Sequence, residues 1–512
     1  MNPSDLPLKI HNTEQVRALD RCAIEAHGID GFELMQKAAR FAFHCLLKRW
    51  PDTARLLVLC GGGNNAGDGY VMAALAAARK IETMVLWLSA PEQLRGDAAQ
   101  AWARAQRSQV PCAAFSVERL HQWLAADSSP RLLVDALLGT GLRTQVRADY
   151  AAAINACNQV RSKQTPVFAV DLPSGLCADT GRALGSAIEA DATATFIGIK
   201  TGLMTGRGPQ LSGELFFSDL DLPQAVLDAV PCSLTRLDLK ELLTALPRRD
   251  RDSHKGRHGH LLLLGGNRGF GGAIMLAAQA AARCGAGLIS VGTRAEHRTP
   301  LLARQPELMV HEVRDRTTLH TLLTSADALV VGPGLGQDGW AELLLREALT
   351  QRKPTVLDAD ALNLLARHPD WLPEPRDHLV LTPHPGEAAR LLGTDTDTIQ
   401  GDRPAAARAL QQRWGGSIVL KGAGSLVCHP DQALMLCPYG NPGMASAGMG
   451  DVLSGIVGGL LAQSLQPRYA VNLAVTLHSA AADILAASAG ERGLLAGDLI
   501  PVARRLLNGL DS

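Results

Sequence analysis

One unit recurs along this chain: a short apolar run rich in β-formers, then a glycine loop, then polar or Ala-rich helical sequence. In the amino-terminal part it occurs as ARLLVLC, Ala54 to Cys60, before GGGNNAGDG and VMAALAAARK, then as RLLVDALLGTG, then as PVFAVDLPSG. Strands that each return through a helix lie parallel, so the order is that of an α/β sheet covered on both faces. Two helices with apolar spacings of three and four precede it, TEQVRALDRCAIEAHGI and FELMQKAARFAFHCLLKRW, and DLDLP closes it. Near Thr235 a helical LDLKELLTALP begins a second part, where the same order restarts. GHLLLLGG leads through NRGFGG into an Ala-rich helix ending at Arg283, ALVVGPGLG leads into a helix from Trp340 to Thr350, and PTVLDAD and HLVLTPHPGE supply two further strand ends. A chain of 512 residues exceeds one ordinary core of roughly 100 to 200. Two α/β domains are expected, 1–225 and 226–512, with the boundary near 225 to 235 and neither a low-complexity linker nor a short-period repeat.

Composition narrows the function. With 46% hydrophobic and 20% charged residues the chain has a core to bury. Lys plus Arg is 50 and Asp plus Glu is 50, so no global field draws nucleic acid or an anionic membrane, and any anion must be held locally. Ten cysteines, with no CxxC, outline neither a zinc site nor a disulfide framework. The start lacks a basic region followed by an apolar run, and the greasiest stretch, Val452 to Ala462, is shorter than the roughly 18 residues that cross a bilayer. A soluble cytoplasmic location and no membrane partner are expected. The segment RRDRDSHKGRHGH, 248–260, carries two acids and no stacking aromatic, which suits a solvated linker or a substrate-phosphate contact better than a nucleic-acid arm.

In the first part, Gly61, Gly63 and Ala66 match the dinucleotide spacing G-x-G-x-x-A between a strand and a helix. The acid that fingerprint needs about 20 residues on is missing, because TMVLWL ends in Ser89-Ala90 and Glu82 lies at its wrong end. Asn64, Asn65 and Asp68 bring more side-chain oxygen than a phosphate cradle requires, and hard oxygens suit a cation or a sugar edge. Asp135 and Asp171 end two strands and should converge on that loop, although an Asp in such a place also serves as a cap or turn former.

In the second part, GNPGMASAGMGD precedes the helix VLSGIVGGLLAQ. Amides at 447–450 would then form an anion hole, with Asp451 poised to accept the proton of an attacking hydroxyl or simply to complement the helix dipole. IVLKGAGS adds Lys421 after a strand, LTPHPGE adds His384 and Glu387, and no GxxxxGK[ST] motif exists.

These motifs resemble, over nearly the whole chain, those of the bifunctional NAD(P)H-hydrate repair enzymes, in which an NAD(P)HX epimerase is fused to an ADP-dependent dehydratase of ribokinase-like fold. GGGNNAGDG, VDALLGTGL and AVDLPSGL resemble the first half. GGNRGFGGA, GPGLG, DADALN, LTPHPGE, KGAGS and NPGMASAGMGDVLSG resemble the second. Ala66 departs from the family loop, which usually has glycine there, and its methyl would crowd the ligand slightly. The resemblance implies a Rossmann-like parallel sheet followed by a ribokinase-like α/β domain. It also implies that Asn64, Asn65, Ala66, Gly67, Asp68, Gly139, Thr140, Gly141, Leu142, Arg143, Thr144 and Gln145 hold the hydrated dinucleotide, with Asp171 at the reacting ring as acid/base. Asn65, Asp135 and Ser174 would coordinate K+. Ala273, Gly334, Gly336, His384 and Asp451 would touch the hydrate in the second domain. Lys421, Gly422, Ala423, Gly424, Ser425 and Gly450 would hold ADP or AMP, and Glu387 would help organise Mg2+.

The implied substrates are NADHX and NADPHX, in a homo-oligomer. Rival readings are a ribokinase-like small-molecule kinase, for which the same anion hole and Asp451 would serve, and a non-catalytic nucleotide-binding module in the first half.

Overall fold

The computed structural model describes residues 6–510. Its contacts divide the chain between Thr235 and Arg236 into two units.

The first unit holds a seven-stranded parallel sheet, in spatial order Cys112–Ala114, Glu82–Trp87, Arg55–Cys60, Arg131–Ala136, Val167–Val170, Ala192–Phe196 and Glu214–Ser218. In chain order this is the Rossmann sequence 3-2-1-4-5-6 with one strand added. The central strand RLLVLC is buried along its whole length. Its side chains alternate: Leu56 and Val58 join one apolar cluster, Leu57 and Leu59 the other. A period of two with both faces apolar requires helices on both sides. Gly31–Arg49 and Asn64–Ala78 supply one layer, Val117–Ala125 and Ala148–Val160 the other. The first expected helix is shorter than its spacing suggests: it runs over Thr13–Arg21 and widens into a π turn at Cys22–Ala26.

The second unit repeats the topology. Met309–Glu312, Leu288–Thr293, His260–Leu264, Ala328–Val331, Thr355–Leu357, Leu379–Leu381 and Ser417–Leu420 are parallel neighbours in that order, and Ser425–Cys428 and Leu434–Cys437 continue the sheet antiparallel. Helices Gly271–Arg283, Met449–Ala462, Pro467–Ala489 and Ala496–Leu507 share one core with Leu261 and Leu263. Small residues let two of them nearly touch: a Cβ at Gly455 would stand 2.1 Å from the Ala277 carbonyl oxygen, so any side chain there forces the helices apart. Pro467–Ala489 is long and apolar enough to cross a membrane by length and composition, but 72% of its most apolar window is buried within the protein. Its composition is therefore that of a core helix.

Candidate active sites

In the first unit the strand order reverses between Arg55–Cys60 and Arg131–Ala136, and the loops leaving those strands part to opposite faces. A cavity of about 750 Å3 opens there, within the range of ligand sites. Asn64, Asn65, Asp68, Gly139, Thr140, Gly141, Leu142, Thr144, Gln145 and Asp171 line it, together with Asp20, Ser89 and Lys200. Ala66, Gly67 and Arg143 are not among the lining residues. The Ala66 methyl, expected to crowd the ligand, instead belongs to the apolar core, while Gly67 packs on Met35 and Arg143 is exposed. Glu82 pairs with buried Arg55 at 3.0 Å, at the opposite end of the sheet from the cavity.

Asn65, Asp135 and Ser174 converge around Leu138. The buried Asp135 carboxylate accepts the Ser174 hydroxyl at 2.6 Å, the Ser174 amide at 2.7 Å and the Leu137 amide at 3.2 Å. Leu138 donates its amide to Ser174 Oγ at 2.8 Å and accepts the Asn65 amide group at 3.2 Å. These bonds tie the two loops together, as a turn-forming Asp would. They leave Asn65 Oδ1 buried without a hydrogen-bond partner. Burial pushes Asp135 up to about 6 in spite of those hydrogen bonds. One carboxylate among neutral oxygens, one of them orphaned, fits a monovalent cation. Among the described residues no cluster of three His, Cys, Asp or Glu is arranged for a metal.

Asp171 adopts φ +66°, a conformation that costs a non-glycine residue about 1 kcal/mol or more. The surroundings determine it: its carboxylate receives the Lys200 ammonium, with the Thr195 hydroxyl at 3.3 Å and the Phe196 amide at 3.4 Å. Lys200, 1% exposed, also donates to Thr195 Oγ1 and the Phe196 carbonyl at 3.1 and 3.0 Å. Asp68 and Asp20 share this field. Burial, then the charges of Asp171 and Asp20, push Asp68 well above the carboxylate range, and burial, opposed by Lys200, brings Asp20 to about 6. The pocket therefore offers the Asp171–Lys200 pair beside a second carboxyl, Asp68, pushed toward its protonated form, the two kinds of partner general acid–base chemistry requires. Sequence reasoning missed Lys200 and Asp20; the readable signal for the lysine was FIGIK, a lone cation at the end of a short apolar run.

In the second unit the helix that carries Asp451 starts at Met449, with Gly448 as N-cap at φ +88°, so Ala447 lies in the preceding turn. The amides of its first turn have no intrahelical acceptors and form an anion-binding end. Lys421 lies below, its Nζ 2.9 Å from Asp358 Oδ1. Asp358, 1% exposed, also accepts Thr382 Oγ1 at 2.8 Å and Ser454 Oγ at 2.7 Å, so each of its oxygens is engaged. Burial pulls Lys421 down, but the charges of Asp358 and Glu387 outweigh it and hold the amine above the usual lysine range. Burial and the Asp358 charge raise Asp451 to about 7, against the pull of Lys421. Asp358, the first acid of DADALN, shows in the sequence only as the end of a strand.

His384 caps the helix Pro385–Leu392: its Nδ1 accepts the Gly386 amide at 3.0 Å, while Glu387 accepts the His384 amide at 2.8 Å. With Nδ1 an acceptor, neutral His384 carries its proton on Nε2. Both Glu387 oxygens face His384, at 2.8 and 3.3 Å, which suits a contact to Mg2+ through water better than a direct ligand. Ser425 closes the 421–425 loop by bonding the Gly422 carbonyl at 3.0 Å, and Ala423 and Gly424 lie within that turn. Gly450 abuts Lys421: a Cβ there would lie 3.2 Å from Nζ. Gly334 and Ala273 meet where this sheet's strand order reverses, a Cβ at Gly334 falling 3.1 Å from that of Ala273, and Gly336 sits beside Asn267.

The family model described as NAD(P)H-hydrate dehydratase matches residues 261–504, and that of the YjeF-related protein N-terminus matches 31–202. The chain is 45% identical over 499 residues to the bifunctional NAD(P)H-hydrate repair enzyme of Coxiella burnetii, covering 98% of this chain and 99% of that one. It is 44% identical to the Escherichia coli enzyme of the same name, over 99% of this chain and 95% of that one. Among solved structures, a ribokinase-like superfamily protein from Enterococcus faecalis superposes with a TM-score of 0.50 at 32% identity, covering 54% of this chain and 95% of its own. Matches of this extent, reaching both halves, show that the chain belongs to the family of bifunctional NAD(P)H-hydrate repair enzymes.

Proposed function

We propose that this chain repairs hydrated NADH and NADPH, interconverting the R and S hydrates in its first unit and dehydrating the S form with ADP in its second. The observation that carries the reading is Asp451, a carboxylate at about 7 beside the open end of a helix and a charged lysine. A base of that strength is partly ionised at neutral pH and still strong enough to take a hydroxyl proton. Asp451 removes the proton of the 6-hydroxyl, whose oxygen attacks the β-phosphorus of ADP, and AMP leaves. The first-turn amides and Lys421 face the charge on the transferring group. The C6–O bond of the phosphate ester then breaks as C5 loses a proton, giving the dihydropyridine and inorganic phosphate. Residues 421–425 and Gly450 would hold the nucleotide; Mg2+ accompanying its phosphates would offset their charge, with Glu387 shaping the loop beneath.

In the first unit, the epimers exchange as the bond between C6 and its hydroxyl oxygen breaks, with the ring nitrogen's electron pair stabilising C6, and re-forms on the other face. Asp68, pushed toward its protonated form by burial, supplies the acid for the departing oxygen, and Asp171, held by Lys200, receives a proton from the returning water. Potassium held by Asn65, Asp135 and Ser174 would supply fixed positive charge for the dinucleotide phosphate and set the two loops.

The test is stoichiometry. S hydrate with ADP and Mg2+ should give equal amounts of AMP, phosphate and reduced cofactor; a phosphorylated product that accumulates without phosphate release would instead establish a small-molecule kinase.

A further inference from the structure

Beside the dehydratase site the second unit has a groove of about 540 Å3, lined by Gln337, Asn363, Ala366, Arg367 and Arg390. Surface arginines usually extend into solvent or pair with acids. These two are held by neutral amide oxygens: Arg390 Nε donates to Asn363 Oδ1 at 2.8 Å and Arg367 donates to Gln337 Oε1. Among the described residues neither guanidinium forms an ion pair with a carboxylate. The acid behind the amides, Asp360, is already satisfied, accepting the Gly336 amide at 3.0 Å, Gln337 Nε2 at 3.0 Å and Asn363 Nδ2 at 3.3 Å. Two positive charges thus face one groove, and the carboxylates near them, Asp360 and the buried Glu387, are each engaged by other donors. The groove also borders the site, since its Gln337 follows Gly336 in the chain. Gly336 bonds directly to Asp360, and a Cβ at Gly386 would lie 3.0 Å from His384 Cε1 and 3.9 Å from Arg390 Nη1, so the imidazole and the guanidinium flank the same glycine.

We propose that the groove of Arg367 and Arg390 is a phosphate subsite of the dehydratase, taking the anionic, non-reacting end of the hydrated dinucleotide while its ring lies near His384, Gly336 and Asp451. A forked guanidinium preset by an amide is the geometry that binds phosphate oxygens in pairs. The inference rests on the reading that those three residues meet the hydrate. The phosphate comes either from the pyrophosphate common to both hydrates or from the 2′-phosphate of the NADPH form alone.

The full chain and its Arg367→Ala, Arg390→Ala and doubly substituted forms should be assayed with S-NADHX and S-NADPHX at saturating ADP and Mg2+. Each substitution should raise KM for hydrate about tenfold, with kcat and the KM for ADP within about twofold of wild type. A rise with both hydrates assigns the groove to the pyrophosphate, and a rise confined to NADPHX assigns it to the 2′-phosphate. Arg390→Lys should restore only part of the loss, since it keeps the charge and loses the fork. A double variant with unchanged KM for both hydrates, measured where wild type turns over, overturns the subsite alone. A wild-type chain inert toward both hydrates overturns the functional reading and the subsite with it.

Discussion

Lys421 Nζ lies 2.9 Å from Asp358 Oδ1, and the pair sits directly beneath Gly450, in the first turn of the helix that carries Asp451. A buried carboxylate thereby fixes a charged amine under an anion-binding helix end and keeps a second carboxylate basic.

Replacing this acid separates positioning from catalysis. In Asp358→Asn, Lys421 loses its counter-charge, and the negative charge that raises Asp451 disappears, so the acid limb of the dehydratase pH profile should move to lower pH. The KM for ADP should rise about tenfold. Breaking the pair should cost at most about 3 kcal/mol, because Lys421 remains partly hydrated. An unshifted limb in a folded variant would reduce Asp358 to a packing role.

Much of both sites was readable because strand ends in a parallel sheet share one edge. Asp135, Asp171 and the GGGNNAGDG loop announce themselves by following apolar runs; the structure lines one pocket with Asp171 and the loop and buries Asp135 behind it, bonded to Ser174 and Leu137. The strands Ala192–Phe196 and Glu214–Ser218 were not read: ATATF is small and half polar, and it is buried only because neighbouring strands and helices close over it. Lys200 and Asp358 escaped for a related reason. Their partners lie 29 and 63 residues away, so what distinguishes them from a solvated lysine or a turn-forming acid is tertiary burial.

Lys200 should be as necessary to epimerisation as Asp171. Lys200→Met removes the buried cation bonded to Asp171, so Asp171 loses the contact that positions it, and Asp68 and Asp20 lose the neighbouring positive charge that lowers them. Chromatography of the R and S hydrates should show exchange slowed about a hundredfold, with ADP-dependent dehydration of the S form unchanged. Exchange at the wild-type rate would remove the lysine from the mechanism.

Dehydration should follow the ionisation of Asp451. The base works only when unprotonated, so kcat/KM for S hydrate should climb as pH rises through about 7 and level off above it. A profile flat from pH 5 to 9, a range bracketing both its ordinary and its raised pKa, would mean that another group accepts the proton.

Potassium should matter to the first unit alone. With tetramethylammonium in place of K+ at constant ionic strength, or in Asp135→Ala, KM of epimerisation for hydrate should rise about tenfold while the KM for ADP stays constant. Indifference to the exchange would leave Asp135 as the residue that ties the Leu137 and Ser174 turns together.

The central claim, two separate chemistries divided between Asp171 and Asp451, is tested most directly by one time course. Mixed R and S hydrates are incubated with ADP and Mg2+, and recovery of reduced-nicotinamide absorbance is followed for wild type, Asp171→Ala and Asp451→Asn. Wild type should recover the whole mixture. Asp171→Ala should recover the S fraction quickly and then creep at the spontaneous exchange rate, while Asp451→Asn should equilibrate the epimers yet restore cofactor at least about a hundredfold more slowly. Full, rapid recovery by Asp171→Ala, or near wild-type recovery by Asp451→Asn, would contradict the division.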